Sequence, residues 1–372
     1  MMQIIKQGNS YIEEVEKAYR EGYRLYIEGG GSGACLLYKK VFLSDGRNIP
    51  LEAFVVDDNY YERIVRKQEP KMCGHSIIPM REIDLEDEHV FLCVGYAHYD
   101  FYDTEIVIPK MKGRFLAGDS TFVFDKMGQG NYLDYDYYIE HRAEFEAICD
   151  RLADQKSRKV LEAYINQRVS GRFEYLQNLR DTMQYFDDEI VDVSSVNTFV
   201  DCGAYTGDTY EQFLKEYQRK TGSEYAGQAY LWEPEPENLK ALHFRYDGNG
   251  KAVIIEEGVW HTEETLYLSG NGTGGTLGGE SSEMKVRVDS IDNVISKPVD
   301  FIKMDIEGAE YQAILGAQNT IRRNHPTLAV CVYHKRDDLL RIPDLIQEFG
   351  KNYKFYLRAY SYHSIEIVLY AV

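Results

Sequence analysis

The stretch Thr198-Phe199-Val200-Asp201-Cys202-Gly203-Ala204-Tyr205-Thr206-Gly207-Asp208 decides the fold of this 372-residue chain. Thr198, Phe199 and Val200 make an apolar strand ending in the carboxylate of Asp201, Gly203 and Gly207 let the backbone turn tightly, and residues 209–217 have helical spacing. Strand, glycine turn and helix in that order form a crossover of an open α/β sheet, with the free N–H groups of the helix start facing the turn.

The pattern repeats toward the C-terminus. Residues 228–232 read as a strand closed by Glu233, and Pro234 and Pro236 fix how the chain leaves it before a helix at 236–243. Strands follow at 252–255 and 301–304, then a helix at 309–323 and a fifth strand at 327–333. Residues 354–360 and 365–371 flank the turn Ser361-Tyr362-His363-Ser364, so an antiparallel pair added to one edge completes a seven-stranded sheet.

Toward the N-terminus a second α/β pattern comprises a helix at 11–24, a strand at 25–27, the turn Glu28-Gly29-Gly30-Gly31-Ser32-Gly33-Ala34, helical spacing over 35–42 and a strand at 51–56 closed by Asp57 and Asp58. Further strands are expected at 76–79 and 89–95, with a short acidic helix between them. Gly29, Gly31 and Ala34 satisfy a Gly-x-Gly-x-x-Ala fingerprint, with Asp57 somewhat beyond the ~20 residues usual for its acidic partner. That turn either holds a nucleotide or nucleotide-sugar or belongs to a ligand-free scaffold. Residues 137–186 are charged and helix-forming, including 173–186, as befits a joint between two sheets and a dimerisation element. The expected class is therefore α/β: a small doubly wound domain over 1–125, a helical connector over 126–190, and a Rossmann-like seven-stranded sheet over 191–372.

Composition narrows the function. A hydrophobic content of 44% fills more than one core, and 61 acidic against 42 basic residues give a net charge of -19, a poor match to nucleic acid. The first residues lack the apolar core of a signal peptide and no run of about 18 apolar residues occurs, so a cytoplasmic protein without a membrane span is expected. Cysteines at 35, 73, 93, 149, 202 and 331 never form a CxxC pair, which indicates neither a disulfide scaffold nor a structural zinc site. The 31 tyrosines serve either a ring-stacking groove for sugars or bases or packing at domain and subunit contacts, which makes a homodimer reasonable.

The acidic strand ends carry the chemistry. Asp201 and Asp208 would repel a pyrophosphate at the glycine turn but attract a ligand with a cationic sulfonium and amino group, which points to S-adenosylmethionine; a structural or nucleotide-binding turn is the alternative. Glu233 is placed to accept both ribose hydroxyls, or else is a solvated acid at a helix start. The segment from Glu256 to Trp260 can bracket an adenine, though a tryptophan there more often packs. Asp305, at the end of the fourth strand, is the first choice for a base that removes a hydroxyl proton; His334 is the second, with an ordinary pKa near neutrality, and Glu307 either orients one of them or caps a helix. Lys303 either neutralises an anionic acceptor or pairs with a carboxylate. The glycine-rich segment 269–282 is a candidate lid or a surface excursion. No distinctive metal-ligand set is legible, so no metal is expected.

The segments TFVDCGAYTGDTYEQF, YLWEPEPENLKAL, VRVDSIDNV and VDFIKMDIEGAEYQAILGAQNTI, in this order, resemble the FkbM-type S-adenosylmethionine-dependent methyltransferases over about residues 195–372. The resemblance implies the Rossmann-like methyltransferase fold and acceptor hydroxyls on sugars, polysaccharides or related natural products. It implies that Asp201, Gly203 and Gly207 hold the methionine end of the cofactor, Glu233 the ribose, and Glu257, Gly258 and Val259 the adenine. The pattern KxDxEGxE, present as Lys303, Asp305, Glu307, Gly308 and Glu310, would border the acceptor. Tyr205-Thr206 departs from the smaller or amide-bearing residues common there. The N-terminal half is similar to small Rossmann-like domains of sugar-nucleotide enzymes, and the competing function is a nucleotide-sugar-binding or NAD-dependent protein working through its glycine turn.

Overall fold

The computed structural model describes residues 2–5, 10–63, 65–67, 70–94, 107–119, 132–172, 174–269, 276–277 and 284–372. The chain divides into one unit of Met1–Arg142, Leu161–Leu179 and Ser361–Ile365 and another of Ala143–Val160, Arg180–Tyr360 and Glu366–Val372.

In the first unit, strands β1 (Arg24–Glu28), β2 (Ala53–Val56), β3 (Lys71–Met72), β4 (His75–Pro79), β5 (Val90–Val94) and β6 (Arg114–Ala117) form a sheet of order β3-β4-β2-β1-β5-β6. All neighbours are parallel except the β3–β4 hairpin. Because strand side chains alternate, Leu25, Ile27, Phe54, Val56, Phe91 and Cys93 enter one core, and Tyr26, Ala53, Val55, Val90 and Leu92 enter another on the opposite face. A sheet covered on both faces explains why these strands are continuous apolar runs. The first helix, Tyr11–Arg20, is capped by Ser10 and stops short of the expected 24 at Gly22, where φ is +84°.

One expectation is corrected in this unit. Cys35 and Cys73 form a disulfide, their Cα atoms 6.3 Å apart. The two lie 38 residues apart with no recognisable spacing, and the fold pairs them by bringing the helix Ser32–Leu37, which holds Cys35, to the turn between β3 and β4, which holds Cys73.

In the second unit, β7 (Thr198–Cys202), β8 (Gln228–Trp232), β9 (Ala252–Ile255), β14 (Phe301–Met304), β15 (Thr327–Cys331), β16 (Phe355–Ala359) and β17 (Ile367–Ala371) make the expected seven-stranded sheet, in the order β16-β17-β15-β14-β7-β8-β9. The chain also builds a four-stranded sheet that the sequence did not suggest, from β10 (Gly258–Val259), β11 (Glu264–Ser269), β12 (Thr276–Leu277) and β13 (Met284–Asp289). The candidate lid at 269–282 falls mostly outside the described residues.

Two helix expectations also change. Residues 309–323 form two helices, Glu310–Leu315 and Gln318–Asn324, broken where Gly316 passes so close to the Trp260 carbonyl that a Cβ would lie 2.1 Å from its oxygen. The described residues of 173–186 contain no helix: Asp181 N–H donates to Ala359 O at 2.8 Å and Arg180 bridges Ala359, so this backbone serves the edge strand β16 instead of an i−4 carbonyl. Among the described residues no helix is long and apolar enough to cross a membrane.

Candidate active site

The central strands β14, β7 and β8 lie side by side in register, Met304 beside Cys202 and Cys202 beside Trp232. Their C-terminal ends therefore bring Asp305, the glycine turn and Glu233 together, at the edge of an open α/β sheet where ligands bind.

Asp201 and Lys303 are register partners, and both are buried. Lys303 Nζ lies 3.0 Å from Asp201 Oδ1 and donates to Gly203 O at 2.7 Å. Burial pushes the Asp201 carboxyl up, to about 6, against the opposing pull of Lys303. The enclosed Asp201 carboxylate thus acts on the turn through the ammonium it holds, and of the two readings of Lys303 the pairing one matches the geometry. The turn itself is left-handed at Gly203 (φ +80°), Tyr205 (φ +48°) and Gly207 (φ +87°). A Cβ on Gly203 would lie 2.1 Å from the Asp305 carbonyl oxygen, and one on Gly207 2.3 Å from the Tyr246 ring, so both positions require glycine sterically as well as conformationally.

Glu233 closes the other side of the turn. Its carboxylate accepts from Tyr205 N at 2.9 Å, Glu235 N at 2.9 Å and Asn238 Nδ2 at 3.2 Å, which fixes its orientation while leaving lone pairs for further donors. Burial raises its pKa against those hydrogen bonds. Gly258 and Val259 are buried in β10, paired with Val288 and Asp289, and Glu257 lies 3.2 Å from Arg287. Trp260 packs on Val286 and Val288, the bland reading of that residue.

At the end of β14, Asp305 Oδ2 accepts from Tyr185 Oη at 2.8 Å. His334 follows β15 and places Nε2 3.6 Å from both Asp305 Oδ1 and Glu307 Oε2, with Nδ1 2.9 Å from Glu310 Oε1. Burial would lower the His334 pKa, but the carboxylates of Glu310, Asp305 and Glu307 raise it to about 10. In these surroundings the ring is an imidazolium at neutral pH, which suits it to orienting charge and removes the near-neutral pKa expected of it. Burial raises the Glu307 carboxyl to about 7, with His334 pulling the other way, whereas Lys303 and His334 outweigh burial at Asp305 and hold it below its ordinary value. Glu307 sits in left-handed backbone (φ +55°) before Gly308 (φ +95°), and its side chain is 33% exposed, against 23% for Asp305 and 8% for His334.

The structure thus gathers Asp305, Glu307 and His334, and sets the glycine turn and Glu233 on the adjoining strands. Sequence reasoning missed Tyr185, which reaches Asp305 from a segment expected to be helical and carries no local signal of that contact. Glu310, placed beside the acceptor by KxDxEGxE but given no role of its own, is fully buried. Carboxylates around a glycine turn fit a ligand that is cationic at its sulfur and amino group, and a fixed carboxylate at the end of β8 fits a ribose diol.

Residues 201–353 match the model of the methyltransferase FkbM domain. The methyltransferase FkbM from Methylobacillus flagellatus KT shares the fold at 24% identity, covering 100% of this chain and 94% of its own, with a TM-score of 0.72. Aeropyrum pernix fibrillarin, solved with natively bound S-adenosyl-L-methionine, is 12% identical over 49% of this chain and 69% of its own, with a TM-score of 0.32. No curated protein matches the chain. Residues 201–353 thus match an FkbM-type, S-adenosylmethionine-dependent methyltransferase domain, and an accessory α/β domain lies N-terminal to it.

Proposed function

We propose that the enzyme methylates a hydroxyl oxygen of a sugar, polysaccharide or related polyhydroxylated natural product. The observation that carries this reading is the cluster of Asp305, Glu307 and His334 at the end of β14, one strand away from the glycine turn. S-adenosylmethionine supplies, when bound, an electrophilic methyl group on a sulfonium sulfur. The Gly203–Gly207 turn, held by Lys303 and behind it Asp201, would seat the methionine end. Glu233 would accept the ribose hydroxyls, and Glu257, Gly258 and Val259 would border the adenine. The excess of carboxylates disfavours an anionic acceptor and suits a neutral hydroxyl.

Glu307, the most exposed of the three, takes the acceptor proton as the new oxygen–carbon bond forms and the methyl–sulfur bond breaks. Asp305 and His334 position it, and most of the rate comes from alignment. Glu307→Gln is expected to lower kcat by about 100-fold or more with cofactor affinity, measured by calorimetry, unchanged. Undiminished turnover in that variant would remove Glu307 from the role. Loss of cofactor binding in Glu233→Ala is the companion expectation. Screening neutral saccharides for the gain of one methyl group by mass spectrometry identifies the acceptor, and methylation confined to anionic or nitrogen acceptors would overturn the substrate class.

A further inference from the structure

We propose that Asp305, Glu310 and His334 form a binding site for a divalent metal ion. Each offers a ligand atom, and these atoms all lie within 4.8 Å of one another. Atoms sharing one ion stand about 3–3.5 Å apart at ordinary metal–ligand distances, so the side chains need to draw in by only about 1 Å.

Two of the three residues are anchored by one atom and leave another over. Asp305 Oδ2 is taken by Tyr185 Oη at 2.8 Å, and Oδ1 is buried with no hydrogen bond. Glu310 Oε1 accepts from Ile306 N at 2.9 Å, and Oε2 is likewise buried and unbonded. Neither ring nitrogen of His334 makes a hydrogen bond, Nδ1 lying near Glu310 Oε1 but poorly aligned, in a side chain only 8% exposed. Outer contacts that fix one atom and aim the other are how proteins orient metal ligands. A buried carboxylate oxygen without a donor is costly, and a cation beside Asp305 Oδ1 would offset that cost.

Charge agrees with this. Lys303 is committed to Asp201, so once an entering ion displaces the His334 proton, the two carboxylates and the imidazole present two negative charges to a doubly charged ion. A mixed imidazole and carboxylate set suits manganese, iron or zinc better than magnesium. Glu310 is fully buried and Asp305 partly exposed, so an ion held between them is reached from the Asp305 side. Use of the ion to hold an acceptor oxygen rests on the methyl-transfer reading, whereas the binding itself does not.

The test is a titration of the full-length, chelator-treated protein with Mn²⁺ alone, free Mn²⁺ being read by electron paramagnetic resonance. One saturable ion per chain is expected, weakened about tenfold or more by Asp305→Asn and by His334→Gln, and little changed by Glu307→Gln. Circular dichroism checks that each variant is folded. If the first two variants unfold, Tyr185→Phe, which removes only the Asp305 anchor, is expected to weaken binding by a smaller factor. Absence of saturable binding to the unmodified protein, or binding that Asp305→Asn, His334→Gln and Tyr185→Phe all leave unchanged, overturns the site. Methyl transfer that persists in chelator with no Mn²⁺ bound would refute the use of the ion to hold the acceptor oxygen and leave the methyltransferase reading intact.

Discussion

The glycine turns after β1 and after β7 both lead from a strand into a helix, and their surroundings differ. At the N-terminal turn, a Cβ on Gly30 would meet Val56 Cγ1 at 2.9 Å and Tyr60 Cε1 at 3.0 Å, and the helix that follows, Ser32–Leu37, passes directly into a π-helix at Tyr38–Leu43. Its acidic partner Asp57 accepts from Tyr60 N at 2.9 Å, at the start of the helix Asp58–Arg63, as a cap does. At the C-terminal turn the helix Asp208–Thr221 has 14 residues, and the neighbouring strand ends contribute Glu233, Asp305 and a buried lysine. A glycine fingerprint reports backbone geometry; a site also needs chemistry delivered by the adjacent strands.

This contrast can be broken most severely at Lys303. Lys303→Met leaves the Asp201 carboxylate buried without its ammonium and is expected to cost about 3–5 kcal/mol in denaturant unfolding, with cofactor affinity lost as the turn loosens. Adding Asp201→Asn should recover much of the stability. If the single variant is as stable as the parent, the pair does not organise the turn.

Next in size is a matched pair of glycine substitutions. Gly203→Ala forces a side chain into left-handed backbone and against the Asp305 carbonyl, for an expected loss of about 3 kcal/mol. Gly31→Ala, in extended backbone with nothing within 4 Å of the new Cβ, should change stability by about 0.5 kcal/mol or less. Equal effects in thermal or chemical denaturation would erase the distinction between the two turns.

Smaller than the losses expected at Lys303 and Gly203 is that of a control within the C-terminal unit but outside the turn. Burial would raise the Asp154 carboxyl, but hydrogen bonds from Arg358 and Ser157 outweigh it and hold the pKa at about 2. A folded-state pKa below the unfolded one gives a contribution that is fully present above about pH 4 and disappears as pH falls toward 2. With Asp154 a third exposed, the difference in stability between the parent and Asp154→Asn should be about 1 kcal/mol at neutral pH and shrink in acid. A difference that does not vary with pH would show that the Arg358 pair contributes nothing.

The sequence by itself determined the alternation of strands and helices, the two glycine turns, the acids at strand ends and the seven-stranded sheet. These follow from local periodicity and from the φ angles that glycine permits, properties of a few consecutive residues. It also made Asp305, Glu307 and His334 candidates, through the pattern in which they stand. Only the tertiary structure decided that Lys303 belongs to Asp201, that Tyr185 anchors Asp305, that Glu310 faces His334 and that Cys35 meets Cys73. Each of those depends on which strands are neighbours and in what register, and on burial that shifts a titrating group away from its ordinary value. The helix expected over 173–186 failed for the same reason: the Asp181 amide pairs with Ala359 on the edge strand β16 instead of with a carbonyl of its own segment.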